Sequence, residues 1–324
     1  MTEPANIAIL AGEAGAIRLE RLPAPRQPEP GEILVRMALA PINAADILAI
    51  DGSYAFSIDA NVPLGAEGVG VVEQLGSGVS DLHRGDMVLP LDRGNWARYR
   101  TLARSRVIAV PPGIEPLQAA VMRINPATAW LLLEASGVAR DGCLVQNACS
   151  STVAHWVRVL AASRGITVID VARPGSKAAE TGAISDDERL EAAVRAAHGD
   201  RPLGAALDCV AGDATGRLAA CVDPLGIVLT FGHLSGEPAR IRSQLLTGRE
   251  LTVRGFSLRP AEARMTPAAH AAMFAELWAL AQSGSVGPPA RAVIPLAEAD
   301  RAVALARTPG RGRVLLDVEA ISGM

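Results

Sequence analysis

The chain has 324 residues, 49% of them hydrophobic, and a formal net charge of -3, a length that calls for two hydrophobic cores rather than one. With no Lys/Arg block and no interleaving of basic and aromatic residues, the electrostatic footprint of a nucleic-acid binder is absent, which leaves a small molecule as the expected partner. Mean hydropathy is positive at +0.24, but it comes from alanine and valine, and no apolar run reaches the roughly 18 residues that a membrane span needs.

Met1-Thr2-Glu3-Pro4 runs directly into the strand-like segment Asn6-Ile7-Ala8-Ile9-Leu10, with no basic-then-apolar leader, so the protein is expected in the cytoplasm. The first 118 residues, rich in Val, Gly and Pro, read as short strands broken by turns: Glu32 to Met37, Gly65 to Val72 and Asp86 to Leu89. This is the pattern of an all-β, partly open barrel. Pro111-Pro112-Gly113 closes it. Helices are predicted over Leu117 to Met122 and Ala127 to Ala135.

Gly142 to Asn147 is a continuous apolar run, as expected of a parallel strand buried on both faces, and Gly165 to Val171 reads as a second buried strand, with a helix over Val153 to Ser163 between them. Further strands are predicted at Ala205 to Val210, Gly226 to Phe231 and Leu251 to Gly255, the last a candidate edge, and a charged helix over Asp186 to His198. The alternation predicts a doubly wound nucleotide-binding domain over 119–260. Phe274, Leu277, Trp278 and Ala281 then stand at helical spacing, and Arg313 to Asp317 forms a last strand, so 261–324 is expected to return to the first domain. Cys143, Cys149, Cys209 and Cys221 lack metal-ligand spacing and read as reduced structural thiols. The five histidines are scattered, and no metal site can be assembled from them.

Pro41-Ile42-Asn43-Ala44-Ala45-Asp46, Gly52-Ser53-Tyr54, Pro63 to Gly70, Gly85-Asp86-Met87-Val88, Asn125 to Trp130, Val145-Gln146-Asn147-Ala148, Leu207 to Gly212 and Phe231-Gly232 occur in an order that spans nearly the whole chain. In that order the chain resembles the zinc-free, quinone-reductase-like branch of the medium-chain dehydrogenases/reductases, closest to the 2-enoyl thioester reductases. The resemblance implies an α/β fold, a GroES-like β-barrel catalytic domain plus a doubly wound Rossmann cofactor domain. It implies NADPH-dependent reduction of the C=C bond of an enoyl thioester, with a quinone or small enone as the alternative acceptor. A homologue that binds dinucleotide with impaired turnover is the reading from another class.

Zinc members of the superfamily hold a catalytic metal at positions matching Asn43 and Ala66, residues that cannot ligate Zn²⁺, and no cysteine cluster stands around Pro90 to Trp96. Metal ligands are therefore expected to be none. Tyr54 matches the family tyrosine that gives the proton, although an aromatic with its hydroxyl in water is the plainer reading of such a residue. Asn43 either fixes its own turn or lines the nicotinamide cleft.

Cofactor contacts are implied for Asn125, and for Thr128 at the start of a helix, where a capping role is the alternative. In the turn after Asn147, Thr152 and Ala154 replace the usual two glycines, and a β-branched Thr152 is strained at positive φ, so either the loop takes another path with Ser150, Ser151, Thr152 and Val153 contacting the phosphates, or affinity for dinucleotide is weakened or lost. Arg173 matches the arginine that takes the 2′-phosphate, which implies NADPH rather than NADH. Phe231, Gly232, His233 and Leu234 match a loop beside the nicotinamide, Phe256 and Leu258 a second loop, and Arg313 a late basic residue of the cofactor site or a plain surface charge. Relatives pair as homodimers through the cofactor domain, and the same is expected here.

Overall fold

A computed structural model describes residues 6–53, 59–284, 287, 289–308, 310 and 312–320. The chain divides into two compact units, Met1–Ile124 with Trp278–Met324, and Asn125–Leu277. The sequence puts the joints at 118 and 260. The first joint comes later because the chain from 119 to 124 stays with the first unit, where Ala119, Ala120 and Met122 are buried.

The first unit carries β1 (Asn6–Ala11), β2 (Ile17–Leu22), β3 (Glu32–Pro41), β4 (Val69–Leu75), β5 (Met87–Pro90), β6 (Tyr99–Ala103) and β7 (Val107–Ala109). The second carries β8 (Cys143–Gln146), β9 (Thr167–Ala172), β10 (Ile184–Ser185), β11 (Leu203–Asp208), β12 (Ile227–Thr230) and β13 (Thr252–Gly255). The chain then re-enters the first unit with β14 (Ala290–Pro295) and β15 (Arg313–Asp317).

β3 is the spine of the first unit. Its opening half pairs antiparallel with β6, its closing residues with β15, and its other side with β4, and two register shifts bend it between these partners. Ile33, Val35 and Met37 alternate inward along it and join Val72, Val88, Trp96, Leu316 and Val318 in one apolar core. The strand predicted from Gly65 begins only at Val69. Gly65 is in the left-handed region at φ +99, and a side chain there would collide with the Trp96 ring, so Gly65 lies against that indole outside the strand.

In the second unit the order β10-β9-β8-β11-β12-β13 is parallel throughout. The chain starts in the middle of the sheet, moves outward through β9 and β10, then jumps back to β11. The order therefore reverses between β8 and β11, and ligands of such sheets bind where the carboxyl ends of the strands meet that reversal. Both faces are covered, with Cys143, Val145, Ile169, Val171, Leu203, Ala206 and Val228 in the core. β13 ends the sheet with all four residues exposed, the edge that its sequence suggests. Among the described residues no helix is long and apolar enough to cross a membrane.

Candidate active site

The turn from β8 into the helix Thr152–Ser163 does not strain Thr152. Thr152 is the first helical residue, and the left-handed residue of the turn is Ala148, at φ 49. The reason is the cap: Ser151 stands just before the helix, its Oγ accepts from the Ala154 N–H at 3.1 Å, and its carbonyl accepts from His155 at 3.0 Å. A β-branched residue at the first helical position is unstrained. The N–H groups of Thr152 and Val153 are taken by no hydrogen bond among the described residues, and they lie at the positive end of a helix dipole, where an anion is favoured. Ser150 is exposed, while Ser151, Thr152 and Val153 are half-buried.

Side chains tie the strand ends at the reversal. Asn147 Nδ2 donates to Asp208 Oδ1 at 2.6 Å, and Asn147 Oδ1 accepts from the Cys209 N–H at 2.7 Å. The fully buried Asp208 also accepts from the N–H groups of Val210 and Ala211 and from Thr215 Oγ1 at 2.6 Å. In the sequence Asn147 and Asp208 stand only as motif letters; their pairing across the sheet has no local signal.

On the other side of β8, Asp170 accepts from Gln146 Nε2 at 2.8 Å and from Arg158 Nη1 at 2.9 Å. Arg173 follows β9 and is exposed. The loop after β12 lies across the end of β11: Phe231 N–H donates to the Asp208 carbonyl and Leu234 N–H to the Cys209 carbonyl. Gly232 fits because a Cβ there would meet Cys209 Sγ and its carbonyl oxygen. His233 and Leu234 are exposed. Phe256 N–H donates to the Thr230 carbonyl, and Leu258 opens the helix Leu258–Ala263. Asn125 and Thr128 are both buried in the helix Asn125–Ser136, which begins at Asn125 rather than at Thr128.

In the first unit the turn before the helix Ala44–Ile50 belongs to a buried polar cluster. Asp46, fully buried, accepts from the Asn43 N–H at 2.9 Å, the Ala66 N–H at 2.9 Å and Arg93 Nη2 at 2.8 Å. Glu67, also fully buried, accepts from Asn43 Nδ2 at 3.0 Å and from the N–H groups of Arg123 and Ile124 at 2.7 and 2.8 Å. This explains why the helix predicted to Met122 stops at Ala119: the amides just beyond Met122 go to a distant carboxylate instead of to helical carbonyls.

Burial pushes the Asp46 and Glu67 carboxyls above the ordinary carboxylate range, against the pull of Arg93 on the first and of the Ile124 amide on the second. Asn43 is thus a buried helix cap that also binds Glu67, a side-chain partner that its sequence does not announce. Arg313 is not a plain surface charge. Its Nη1 donates to the Ile42 carbonyl at 3.3 Å, and burial pulls its pKa down against the neighbouring Glu67 and Asp46. Tyr54 lies outside the described residues.

A zinc ion does not fit the donors present. The Asn43 amide nitrogen is committed to Glu67, Ala66 offers a methyl group, and among the described residues no three His, Cys, Asp or Glu side chains come together as a metal would need. The cysteines are free, and burial pushes Cys143 up to about 11 and Cys209 and Cys221 up to about 12, as structural thiols require. A nicotinamide dinucleotide does fit the second unit, with unclaimed amides at a helix start, a glycine held close to β11 and an exposed Arg173 at the carboxyl edge.

The alcohol dehydrogenase GroES-like domain matches residues 29–112, and the zinc-binding dehydrogenase domain matches residues 180–315. A mitochondrial enoyl-[acyl-carrier-protein] reductase of Xenopus tropicalis is 30% identical over 299 residues, 87% of this chain and 85% of that protein. A protein of Bacillus thuringiensis described as an NADPH:quinone reductase superposes with a TM-score of 0.86 at 27% identity, covering 97% of this chain and 99% of that one. The Etr1p/NADP/crotonyl-CoA complex superposes with a TM-score of 0.84, covering 97% and 100%, and at 21% identity this likeness speaks for the fold alone. The chain is an oxidoreductase of the medium-chain dehydrogenase/reductase superfamily, in the branch of the enoyl thioester reductases and quinone reductases.

Proposed function

We propose that the protein reduces the C=C bond of an enoyl thioester with NADPH and without a metal ion. The observation that carries the cofactor choice is the state of β9. An acid near the end of that strand would serve a ribose 2′-hydroxyl, but Asp170 is occupied by Gln146 and Arg158, whereas the exposed Arg173 offers a planar charged fork to a 2′-phosphate. The similarity to an enoyl reductase along most of the chain supports the substrate class.

Bound NADPH supplies the hydride that goes to the β-carbon. The residues do the rest. The amides of Thr152 and Val153 take the pyrophosphate, with Ser150 and Ser151 beside them, and Arg173 takes the 2′-phosphate. Asn125, Thr128, Phe231 to Leu234, Phe256 and Leu258 line the dinucleotide. Tyr54 gives the proton to the α-carbon, and Asn43, which donates to Glu67, fixes the start of the helix Ala44–Ile50. Arg313 serves indirectly, as the countercharge of the Glu67 and Asp46 cluster. The protein pairs as a homodimer along the exposed edge strand β13, and its four free cysteines suit a reducing compartment such as the cytoplasm.

Oxidation of NADPH with crotonyl-CoA and with 1,4-benzoquinone tests the substrate. Turnover of the thioester is expected, and turnover of benzoquinone alone would favour the quinone reading, for which the Bacillus thuringiensis protein is the specific support. Tyr54→Phe is expected to lower kcat by about 100-fold or more with NADPH affinity unchanged. An unchanged kcat removes Tyr54 as the acid. The reading as an impaired homologue loses the part of its motive that rested on strain at Thr152, which is the unstrained first residue of its helix.

A further inference from the structure

We infer that Arg158 and Asp170 form a charge-cancelling clamp that makes Arg158 a positioning and specificity-determining residue for the dinucleotide; the inference rests on the NADPH reading above. No glycine occurs between Asn147 and Arg164, so the phosphate turn cannot rely on glycine geometry. Side chains hold it instead. Arg158, on the helix that follows the turn, donates from Nη1 to the Cys149 carbonyl at 2.9 Å and to both Asp170 oxygens at 2.9 and 3.1 Å. Gln146 Nε2 bridges the same carboxylate, at 2.8 Å, to the Ala154 carbonyl, at 3.1 Å. One guanidinium therefore pins the middle of the turn to β9.

The second consequence is electrostatic. Asp170 and Arg173 share the carboxyl end of one strand and its exit, where the adenosine ribose of a dinucleotide rests in such sheets. An uncompensated carboxylate there would repel a 2′-phosphate and welcome a 2′-hydroxyl. Arg158 cancels it, and Arg173, which has no ion pair among the described residues, is left as the acting charge. The pair is partly exposed, with 37% of the Arg158 side chain and 25% of the Asp170 side chain accessible. Solvent therefore screens it, and the effect is several-fold rather than absolute.

Two separable effects follow. Losing the Cys149 contact loosens the turn for NADPH and NADH alike; losing the countercharge weakens NADPH selectively. Dissociation constants of both dinucleotides, from fluorescence titration of the purified full chain, distinguish them. Arg158→Met is expected to weaken both and to lower the NADPH preference about fivefold. Asp170→Asn keeps or raises the preference. The double variant Arg158→Met/Asp170→Asn returns the preference to within about twofold of the parent protein while both affinities stay weakened. Arg158→Lys keeps the charge without the fork, so it retains the preference and loses common affinity; it also carries the test if the Met variant does not fold. An unchanged preference in Arg158→Met, no recovery in the double variant, or a collapse of preference in Arg158→Lys overturns the clamp. A parent protein that binds neither dinucleotide overturns the cofactor reading and the clamp together, whereas a parent protein that prefers NADPH beside an equally selective Arg158→Met overturns the clamp alone.

Discussion

Glu67 in the first unit and Asp170 in the second do the same mechanical task in opposite surroundings. Each carboxylate gathers donors from chain segments far apart in sequence and so fixes a turn on which function depends. Glu67 is fully buried, and its donors are two backbone amides and a carboxamide. Asp170 is a quarter exposed and meets an arginine. A charge without water is tolerable only when hydrogen-bond donors surround it, so the first site is rigid and removing one partner there is severe. A charge that keeps water can lose a partner cheaply, and what it then changes is the local field. The buried carboxylate is therefore part of the scaffold, and the exposed one can tune selectivity.

The strongest test of that contrast is Glu67→Ala, which leaves the Arg123 and Ile124 amides and Asn43 Nδ2 without their acceptor. A loss of about 3–5 kcal/mol in urea unfolding is expected. A loss below about 1 kcal/mol would break the comparison. Titration sharpens it. Burial raises the folded pKa of Glu67, so the folded state holds its proton to higher pH than the unfolded state does. The sign follows: this contribution to stability is full below about pH 4.3 and is lost as pH rises through the raised value. Asp51 and Asp81 behave oppositely, because hydrogen bonds from Arg307 and Arg104 lower them; their contribution is present above about pH 3.9 and is lost as pH falls. Glu67→Gln should therefore show a stability profile that declines less than the parent's between about pH 4.3 and neutrality.

Asp208 separates burial from location, since it sits in the same unit as Asp170 but is as buried as Glu67. Asp208→Asn keeps the shape while turning one acceptor oxygen into a donor beside Asn147 Nδ2, Thr215 Oγ1 and two backbone amides. A loss of about 2–3 kcal/mol is expected, measured by the same unfolding experiment. A loss as small as that of an exposed pair would mean that the unit, rather than burial, sets the scale.

The sequence makes the scaffold legible where the signal is local. β15 is found on the residues its apolar run predicts, and β8 and β9 fall within two residues of expectation, β8 because a strand buried on both faces writes a continuous apolar run. β10, with two residues, and β14, half-buried for most of its length, write no such run. Asn43 and Arg173 are visible as motif letters. What Asn43 holds is not, since Glu67 lies 24 residues on and its other donors a further 56 and 57. Strain assigned to Thr152 from missing glycines fails for a local reason of another kind: the Ser151 cap decides where the helix begins, and that moves the left-handed residue to Ala148.

The smallest expected effect is also the one that separates the two carboxylates most clearly. Asp170→Asn removes the ion pair with Arg158, yet the carboxamide can still accept from Gln146 or Arg158 through its oxygen, and the guanidinium keeps its bond to the Cys149 carbonyl and its access to water. No charge is stranded away from solvent, so the change in unfolding free energy should fall within about 0–1 kcal/mol. The same substitution removes a negative charge at the exit of β9, so the little it does to stability is accompanied by a kept or raised preference for NADPH. A destabilisation of Asp170→Asn comparable to that of Glu67→Ala would show that the partly exposed network is as much a part of the scaffold as the buried one, and the division of roles between them would fall.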